Sequence, residues 1–136
     1  MATQGDWEVI DMAVDSGATE TVVSEEMLET IETKDGPAKK RGVEYEVADG
    51  DRIPNLGEKK FLGINEDGVE RNITAQVCDV NKSLLSVKKV VDAGNRIVFD
   101  ETGSYIEEKA TGNKMWLREE NGMYMLNMWV KKNSGF

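Results

Sequence analysis

The 136-residue sequence contains no histidine and a single cysteine, Cys78. Without histidine the chain cannot form a Ser-His-Asp or Cys-His nucleophile system, and every histidine-ligated zinc site is excluded. One cysteine cannot form a disulfide within the chain or a thiolate metal cluster, and this cysteine use favours a reducing, intracellular compartment. Any catalysis must therefore rest on carboxylates, Lys, Tyr, Ser or Thr, or on a borrowed metal.

Basic residues are also scarce, because 17 Lys and Arg stand against 26 Asp and Glu, for a net charge of −9. A surface of this sign repels phosphate backbones, so no nucleic-acid partner is expected. The first eight residues are polar and no window approaches the length of a membrane span. The sequence therefore predicts neither a signal peptide nor a membrane partner.

Turn-forming dipeptides recur along the chain after residue 48, at intervals typical of an all-β protein with short strands. They are Asp49-Gly50, Asp67-Gly68, Gly94-Asn95, Thr102-Gly103, Gly112-Asn113 and Asn121-Gly122. The segments between them predict strands over residues 43–47, 60–65, 69–77, 96–100, 104–109, 114–118 and 123–130. Residues 123–130 are apolar on both faces, which indicates a strand that is covered on both sides or paired with another chain.

Two short helices are also predicted. Ser24 is a good N-cap before Glu25 and Glu26, and apolar residues then share a face, so residues 24–32 predict a helix. Ser83 is a second candidate N-cap, and the apolar stripe after it ends before Gly94. The intervening residues 33–42 predict a polar loop.

The segment most informative about chemistry is an apolar strand, residues 9–14, that leads directly into an Asp-Ser-Gly turn. The turn consists of Asp15, Ser16, Gly17, Ala18 and Thr19. These are ordinary turn residues, so the tripeptide alone is equally consistent with a simple strand end. The apolar pair Val22-Val23 on the far side favours a functional loop, because a surface turn does not need apolar residues against both flanks.

Asp-Ser-Gly-Ala-Thr after an apolar strand resembles the active-site loop of retroviral-type aspartic proteases, the retropepsins. More narrowly, the chain is similar to the protease region of copia-type retrotransposon polyproteins over about residues 7–130. Further matching pieces follow in the same order: Val47-Ala48-Asp49-Gly50, Ile53, Gly57, Leu84-Leu85-Ser86-Val87, Gly94, Val98-Phe99, Gly103, Thr111-Gly112 and Asn121-Gly122-Met123-Tyr124.

The chain also departs from these families at recognisable positions. Copia-type proteases often carry a His shortly after the Asp-Ser-Gly-Ala-Thr motif, where this chain has Glu20-Thr21-Val22. They usually have a Pro before the Leu-Leu-Ser segment, where this chain has Cys78-Asp79-Val80. Retroviral enzymes place an apolar-apolar-Gly motif just before the late helix, and residues 79–82 contain no Gly.

The resemblance implies a mostly β acid-protease barrel with one or two short helices and an extra C-terminal β meander. We expect a single retropepsin-like domain over residues 1–136, with a core of about 7–99 and an extension of about 100–130. It also implies a flap that excludes water, and the best candidate is the hairpin of residues 43–53. The tip of that flap would be Ala48, Asp49, Gly50 and Asp51. An EF-hand interpretation of this tip fails, because the ligand spacing is wrong and no flanking helices are predicted.

Peptide hydrolysis by this chemistry needs two neighbouring carboxylates that share one proton. No second Asp-Ser/Thr-Gly occurs, and the nearest echo, Glu101-Thr102-Gly103, is better explained as a hairpin turn. The second Asp15 must therefore come from a second copy, so a homodimer is expected. The resemblance implies that Ser16 hydrogen-bonds across the two-fold axis, and Gly17 lets the backbone approach the substrate. Retropepsins build their dimer interface from terminal strands, which makes residues 123–130 a candidate interface.

The sequence thus predicts a homodimeric aspartic endopeptidase that acts on a peptide or polyprotein substrate, with Asp15 as its catalytic residue. We expect no cofactor and no metal, and activity at acidic pH. The expected location is intracellular, in the cytoplasm or in retrotransposon particles. The alternative is a catalytically silent dimerisation or peptide-binding module of the same fold. A scaffolding piece of the polyprotein is a second alternative, and a metal-dependent hydrolase is a remote third.

Overall fold

The computed structural model describes residues 3–47 and 49–136. The chain is mostly β with two short helices, so that part of the predicted fold class is confirmed. The strands are β1 (Thr3–Gln4), β2 (Trp7–Asp15), β3 (Val22–Val23), β4 (Glu44–Glu46), β5 (Arg52–Pro54), β6 (Gly57–Asn65), β7 (Glu70–Val77), β8 (Ser83–Ser86), β9 (Asn95–Val98), β10 (Ser104–Glu108), β11 (Lys114–Glu120) and β12 (Met123–Lys131). The helices are α1 (Pro37–Lys40) and α2 (Val87–Asp92). Strands β4 and β5 pair with each other, and the remaining strands form one large mixed sheet.

The predicted hairpins form where the turn dipeptides place them. Strands β11 and β12 are joined at Asn121-Gly122, where φ is 52° and 78°, and Glu120 pairs with Met123. Positive φ at both central residues is the geometry that the right-handed twist of a tight hairpin requires. Asp67-Gly68 likewise lies between β6 and β7, which pair in antiparallel register from Gly57 to Ile64. Local turn chemistry therefore sets the register of these strands.

The strand pairings close on themselves. Starting from β2, the neighbours are β8, β3, β7, β6 and β12, and β12 pairs back onto β2. The pairs β2–β8 and β3–β7 are parallel, whereas β12 is antiparallel to both β2 and β6. Strand β2 therefore has neighbours on both sides at Met12 and Ala13, and its last two residues, Val14 and Asp15, pair with β8.

The last strand is internal to the sheet. One edge of β12 pairs with β2 from Met125 to Lys131, and the other pairs with β11 and then with β6. The sequence predicts that residues 123–130 are covered on both faces or paired with another chain; within the described chain they pair with three strands, and their burial alternates between the two faces. With both edges occupied, β12 cannot also extend the sheet into a second copy, so the candidate interface at these residues has no free strand edge.

The apolar core lies inside this circuit of strands. Burial alternates along β6 and β12, as expected for strands with one face toward a core. Gly63 on β6 leaves room for a neighbour, since a Cβ there would lie 2.8 Å from the Sδ atom of Met128. The largest fully buried apolar side chains are Met12, Val23, Ile31, Phe61, Val77, Ile106, Met128 and Val130.

The helix predicted at residues 24–32 does not form. Residues 25–30 make turns instead, and Leu28 adopts a positive φ of 58° that no α-helix accommodates. The cause is the fully buried Lys59, whose Nζ donates to the carbonyl oxygens of Glu25, Met27 and Leu28 at 2.9–3.0 Å. Carbonyls turned toward one ammonium cannot all point along a helix axis.

A buried carboxylate holds the same loop from its amide side. Glu8 Oε1 accepts from Glu29 N at 2.9 Å, and Oε2 accepts from Thr30 N at 3.2 Å and from Thr30 Oγ1 at 2.5 Å. Glu8 and Lys59 are far from residues 24–32 in sequence, so the local N-cap pattern gave no sign of them. Tertiary hydrogen bonds thus override the local preference for a helix.

The second predicted helix begins later than expected. Ser83 is not the N-cap but the first residue of β8, which pairs in parallel with β2 from Met12. Ser86 is the N-cap of α2, and its Oγ accepts from Lys89 N. The predicted stop at Gly94 is correct, since Gly94 has a φ of 93° just after the helix. In the predicted polar loop, residues 37–40 form the single turn α1, which begins at Pro37.

Candidate active site

Asp15 is the last residue of β2 and lies directly beside Ser86 in the parallel register of β2 and β8. The preceding residues Met12 and Ala13 are buried. The half-buried Asp15 side chain therefore emerges where an otherwise buried strand reaches the surface. The strand-to-turn arrangement predicted around Asp15 is the one that the structure contains.

The turn after Asp15 is closed by hydrogen bonds to that residue. Gly17 N donates to Asp15 Oδ1 at 2.8 Å, and Ala18 N lies 3.4 Å from Asp15 O. A Cβ on Gly17 would lie 3.3 Å from the same carboxylate oxygen, so a larger residue would crowd it. Ser16, Gly17 and Thr19 are exposed. The five predicted loop residues thus form one turn that orients a carboxylate and leaves the serine accessible.

Ser86 fixes this turn from its buried side, and no role in the site was predicted for it. Its side chain is fully buried, and Ser86 Oγ donates to Ala18 O at 2.7 Å while accepting from Lys89 N at 3.2 Å. Its backbone N donates to Thr21 Oγ1 at 3.1 Å. Ser86 therefore connects the start of α2 to Ala18 and Thr21, which follow Asp15 in the chain.

The sequence does contain a signal for Ser86, but it lies later in the chain than residues 79–82. A late helix that began at Ser83 would place the preceding segment at residues 79–82, which contain no Gly. Because α2 begins at Val87, the segment directly before it is Leu84-Leu85-Ser86. This segment is apolar-apolar-Ser, so a small residue does occupy that place, and its hydroxyl adds hydrogen bonds that glycine cannot make.

The predicted flap is a hairpin formed by β4 and β5, with an exposed tip. Val47 N donates to Asp51 O, Asp51 N donates to Asp49 Oδ1, and Gly50 adopts a φ of 88°. Ala48, which was predicted to belong to the tip, lies outside the described residues. A hairpin thus forms at the predicted residues, and among its described tip residues, 49–51, no hydrogen bond joins it to the Asp15 turn.

The base of the hairpin is connected to the turn by side chains. Asn55 Nδ2 donates to Tyr45 Oη at 3.0 Å and to Gln76 Oε1 at 2.8 Å. Gln76 N in turn donates to Thr21 O at 2.8 Å, and Thr21 Oγ1 is the group that accepts from Ser86 N. Burial raises the pKa of Tyr45, an effect that the hydrogen bond from Asn55 opposes. A continuous set of hydrogen bonds thus runs from the hairpin to the turn.

No family model matches the chain, and comparisons with curated proteins and with solved structures gave no significant match. Within residues 3–47 and 49–136, no group of three or more His, Cys, Asp or Glu is arranged to hold a metal ion. Neither helix of the described chain is long and apolar enough to cross a membrane. The assignment of a function therefore depends on the chemistry of the Asp15 turn.

Proposed function

We propose that the protein is a homodimeric aspartic endopeptidase in which each copy supplies one Asp15. The observation that carries this proposal is the geometry of the turn. A half-buried carboxylate lies at the end of a buried strand, one oxygen accepts from Gly17 N, and buried Ser86 fixes the turn from behind. A simple surface turn would not need a fully buried serine to hold its backbone.

In the proposed reaction two Asp15 carboxylates face each other across a two-fold axis. Two carboxyl groups that lie side by side cannot both ionise, so the pair holds one proton. The ionised carboxylate acts as general base on a water molecule, and the protonated one donates to the scissile carbonyl oxygen. In the proposed dimer Ser16, which is exposed in the single chain, hydrogen-bonds with the opposite loop. Activity is therefore expected at acidic pH, where the pair retains its shared proton.

Two features of the fold support this proposal. The closed circuit of strand pairing through β2, β8, β3, β7, β6 and β12 is what an acid-protease barrel requires. The hairpin of β4 and β5 is separate from the large sheet and anchored only at its base, which suits a flap that must open for a peptide substrate. The proposed substrate is a polyprotein that the enzyme matures.

The test is peptide-library cleavage from acidic to neutral pH at two protein concentrations. Cleavage should rise faster than linearly with concentration, since the active site needs two copies. Asp15→Asn should abolish cleavage while leaving the fold intact. The matched control is Asp11→Asn, because Asp11 lies on the same strand but points to the surface, where it pairs with Arg118.

Mixing the two proteins gives a sharper result. With equal amounts of the native chain and Asp15→Asn, random pairing leaves about one quarter of the dimers with two carboxylates. At equal total protein concentration, activity should therefore fall to about one quarter of that of the native chain alone. If a folded, dimeric protein cleaves nothing at any pH, the endopeptidase proposal is wrong and the catalytically silent module of the same fold replaces it.

A further inference from the structure

A cavity of about 410 Å³ lies beside the segment that follows the Asp15 turn, since Glu20, Thr21 and Leu85 line it. Its walls come from β7, β8, α2 and the strands that follow the helix, and Asp15 does not line it. Most of the lining is apolar, including Leu85, Val90, Ile106, Met115, Leu126 and Met128. A volume of this size is within the range of small-molecule sites, about 300–1,000 Å³.

Two of the side chains that line this cavity carry buried polar atoms without a hydrogen-bond partner. In the described part of the chain, the buried side-chain nitrogens and oxygens without a hydrogen-bond partner are Arg71 Nε, Arg71 Nη2 and Asn95 Oδ1. Both residues line the cavity, and Asn95 is only 7% exposed. Leaving such groups unpaired is costly, so unpaired atoms gathered at one cavity indicate a missing partner.

The neighbours of these atoms do not supply that partner. Arg71 Nη1 donates to Glu70 O, but Nη2 lies 3.9 Å from Glu108 Oε1, which is too long for a hydrogen bond. The same Glu108 oxygen accepts from Thr111 Oγ1 at 2.7 Å. Asn95 uses its Nδ2 to donate to Val90 O, which leaves Oδ1 unused.

Arg71 and Asn95 are close to one another. Glu108 pairs directly with Asn95 in the register of β10 and β9, and its side chain is the one nearest the Arg71 guanidinium. The cavity is therefore lined both by these two polar side chains, whose unpaired atoms are covered in the empty protein, and by apolar side chains. A guanidinium offers its N–H groups as a fork that matches a carboxylate.

The charges around the cavity favour an anion, although the chain as a whole is negative. The charged lining residues are Arg41, Arg71, Lys89, Glu20 and Glu58. Glu20 is 3.4 Å from Lys89, and Glu58 is 3.6 Å from Lys60. Both lining carboxylates thus have a cationic neighbour, and the carboxylate nearest to Arg71, Glu108, lies 3.9 Å away, beyond hydrogen-bond distance.

We propose that this cavity binds an apolar amino-acid carboxylate, either an N-acylated amino acid or the free C-terminal end of a peptide. The carboxylate accepts from Arg71 Nε and Nη2, the adjacent amide N–H donates to Asn95 Oδ1, and the apolar side chain contacts Met115 and Met128. In this proposal the two side chains rotate on binding, so that the covered polar atoms face the ligand. The proposal does not depend on proteolysis, because Asp15 does not line the cavity.

The experiment measures binding directly by calorimetry with N-acetyl-leucyl-leucine, using its C-terminal amide as the matched control. The acid should bind at least about 10-fold more tightly than the amide, since only the acid can pair with the guanidinium. N-acetyl-leucine distinguishes the two sources: equal affinity identifies an acylated amino acid, and weaker affinity identifies a peptide end.

Methionine methyl resonances locate the ligand. With ¹³C-methyl methionine, the acid should shift Met115 and Met128, which line the cavity, and leave Met12 unchanged, since Met12 is buried elsewhere in the core. Acid and amide binding equally, or shifts that omit Met115 and Met128, would overturn the proposal. So would the absence of any binding by the folded protein.

A pair of arginine variants tests the role of the guanidinium. Arg71→Met should weaken binding of the acid at least about 10-fold. It should leave the thermal midpoint unchanged or higher, because it removes polar atoms that are unpaired in the empty protein. The control is Arg96→Met, in which an exposed arginine paired with Glu107 is lost and binding persists. Val90→Phe, which fills part of the cavity, provides a second variant that should reduce binding. Unweakened binding in Arg71→Met contradicts the proposal.

Discussion

Ser86 is the residue on which the candidate catalytic turn depends most, after Asp15 itself. It is fully buried beside Asp15 and makes hydrogen bonds to Ala18, Thr21 and Lys89. A carboxylate can act as a general base only when its position relative to the substrate is fixed. Ser86 is thus a positioning residue in the proposed reaction, since it acts through the turn and does not itself contact the substrate.

Ser86→Ala should lower the free energy of unfolding by about 1–3 kcal/mol, because Ala18 O and Lys89 N lose their partner in a buried environment. In the proposed dimer kcat should fall while KM stays close to its native value. The reason is that the variant alters the turn and leaves the substrate contacts unchanged. Urea unfolding and steady-state kinetics measure the two effects.

Ser104→Ala is the matched control for this variant. Ser104 is also buried and hydrogen-bonded, but its partner is Asp100, away from the Asp15 turn. It should lower stability without changing the pH profile of kcat. If both variants reduce kcat equally, the effect of Ser86 is one of general stability and not of positioning.

Cys78 is expected to be an unreactive thiol. It is buried, and burial, with a smaller contribution from the charge of Asp79, raises its pKa from 9.0 to about 11. The thiolate is the reactive form, so the native protein should react slowly with a disulfide reagent at neutral pH and rapidly once unfolded. Rapid reaction of the native protein would contradict the buried position of Cys78.

The same pKa shift predicts how stability changes with pH. Because the folded-state pKa is above the unfolded value, folding favours the protonated thiol. The contribution of Cys78 is fully present below about pH 9 and is lost as the pH rises through about 11. The native chain should therefore lose stability relative to Cys78→Val between about pH 9 and about pH 11. Urea unfolding at each pH measures this change.

At the scale of elements, the β4–β5 hairpin is held to the sheet mainly by side chains at its base. Tyr45→Phe removes the acceptor of one Asn55 hydrogen bond but keeps the ring. We expect faster amide exchange in the hairpin, by the equivalent of about 1 kcal/mol, with little change elsewhere. Proteolytic activity should decrease, because a loosened flap excludes water less effectively.

Tyr105→Phe is the corresponding control, since Tyr105 lies on β10 and packs edge-on against Trp116. It should leave exchange in the hairpin unchanged. If Tyr45→Phe also leaves that exchange unchanged, the hydrogen bonds from Asn55 do not control the hairpin.

At the scale of the whole molecule, the proposed dimer would have to form against charge repulsion. Each chain carries a net charge of −9, so two copies repel one another at low ionic strength. Salt screens this repulsion, with a Debye length of about 10 Å at 0.1 M. The dimer dissociation constant should therefore fall as salt is raised, as measured by sedimentation at several concentrations. A dimer that weakens with added salt would instead be held by ion pairs between the copies.

Sequence and structure agree best where the chemistry is local. Asn121-Gly122 and Asp67-Gly68 place their hairpins because positive φ is a property of these residues themselves. The strand that delivers Asp15 was predicted for the same reason, since an apolar run followed by turn residues carries its own signal. All five residues of the predicted loop lie in one turn, and the segment proposed as a flap forms the β4–β5 hairpin.

The sequence by itself therefore determined most of the strands, most of their turns and the position of the carboxylate. The tertiary structure alone decided the path of residues 24–32, where Lys59 and Glu8 replace helical hydrogen bonds, and the position of β12 between β2 and β6. It also decided that Ser86 lies beside Asp15 and that Arg71 and Asn95 line one cavity. The physical reason is that turns depend on the dihedral preferences of neighbouring residues, whereas buried charges and strand partners depend on residues that are distant in the chain.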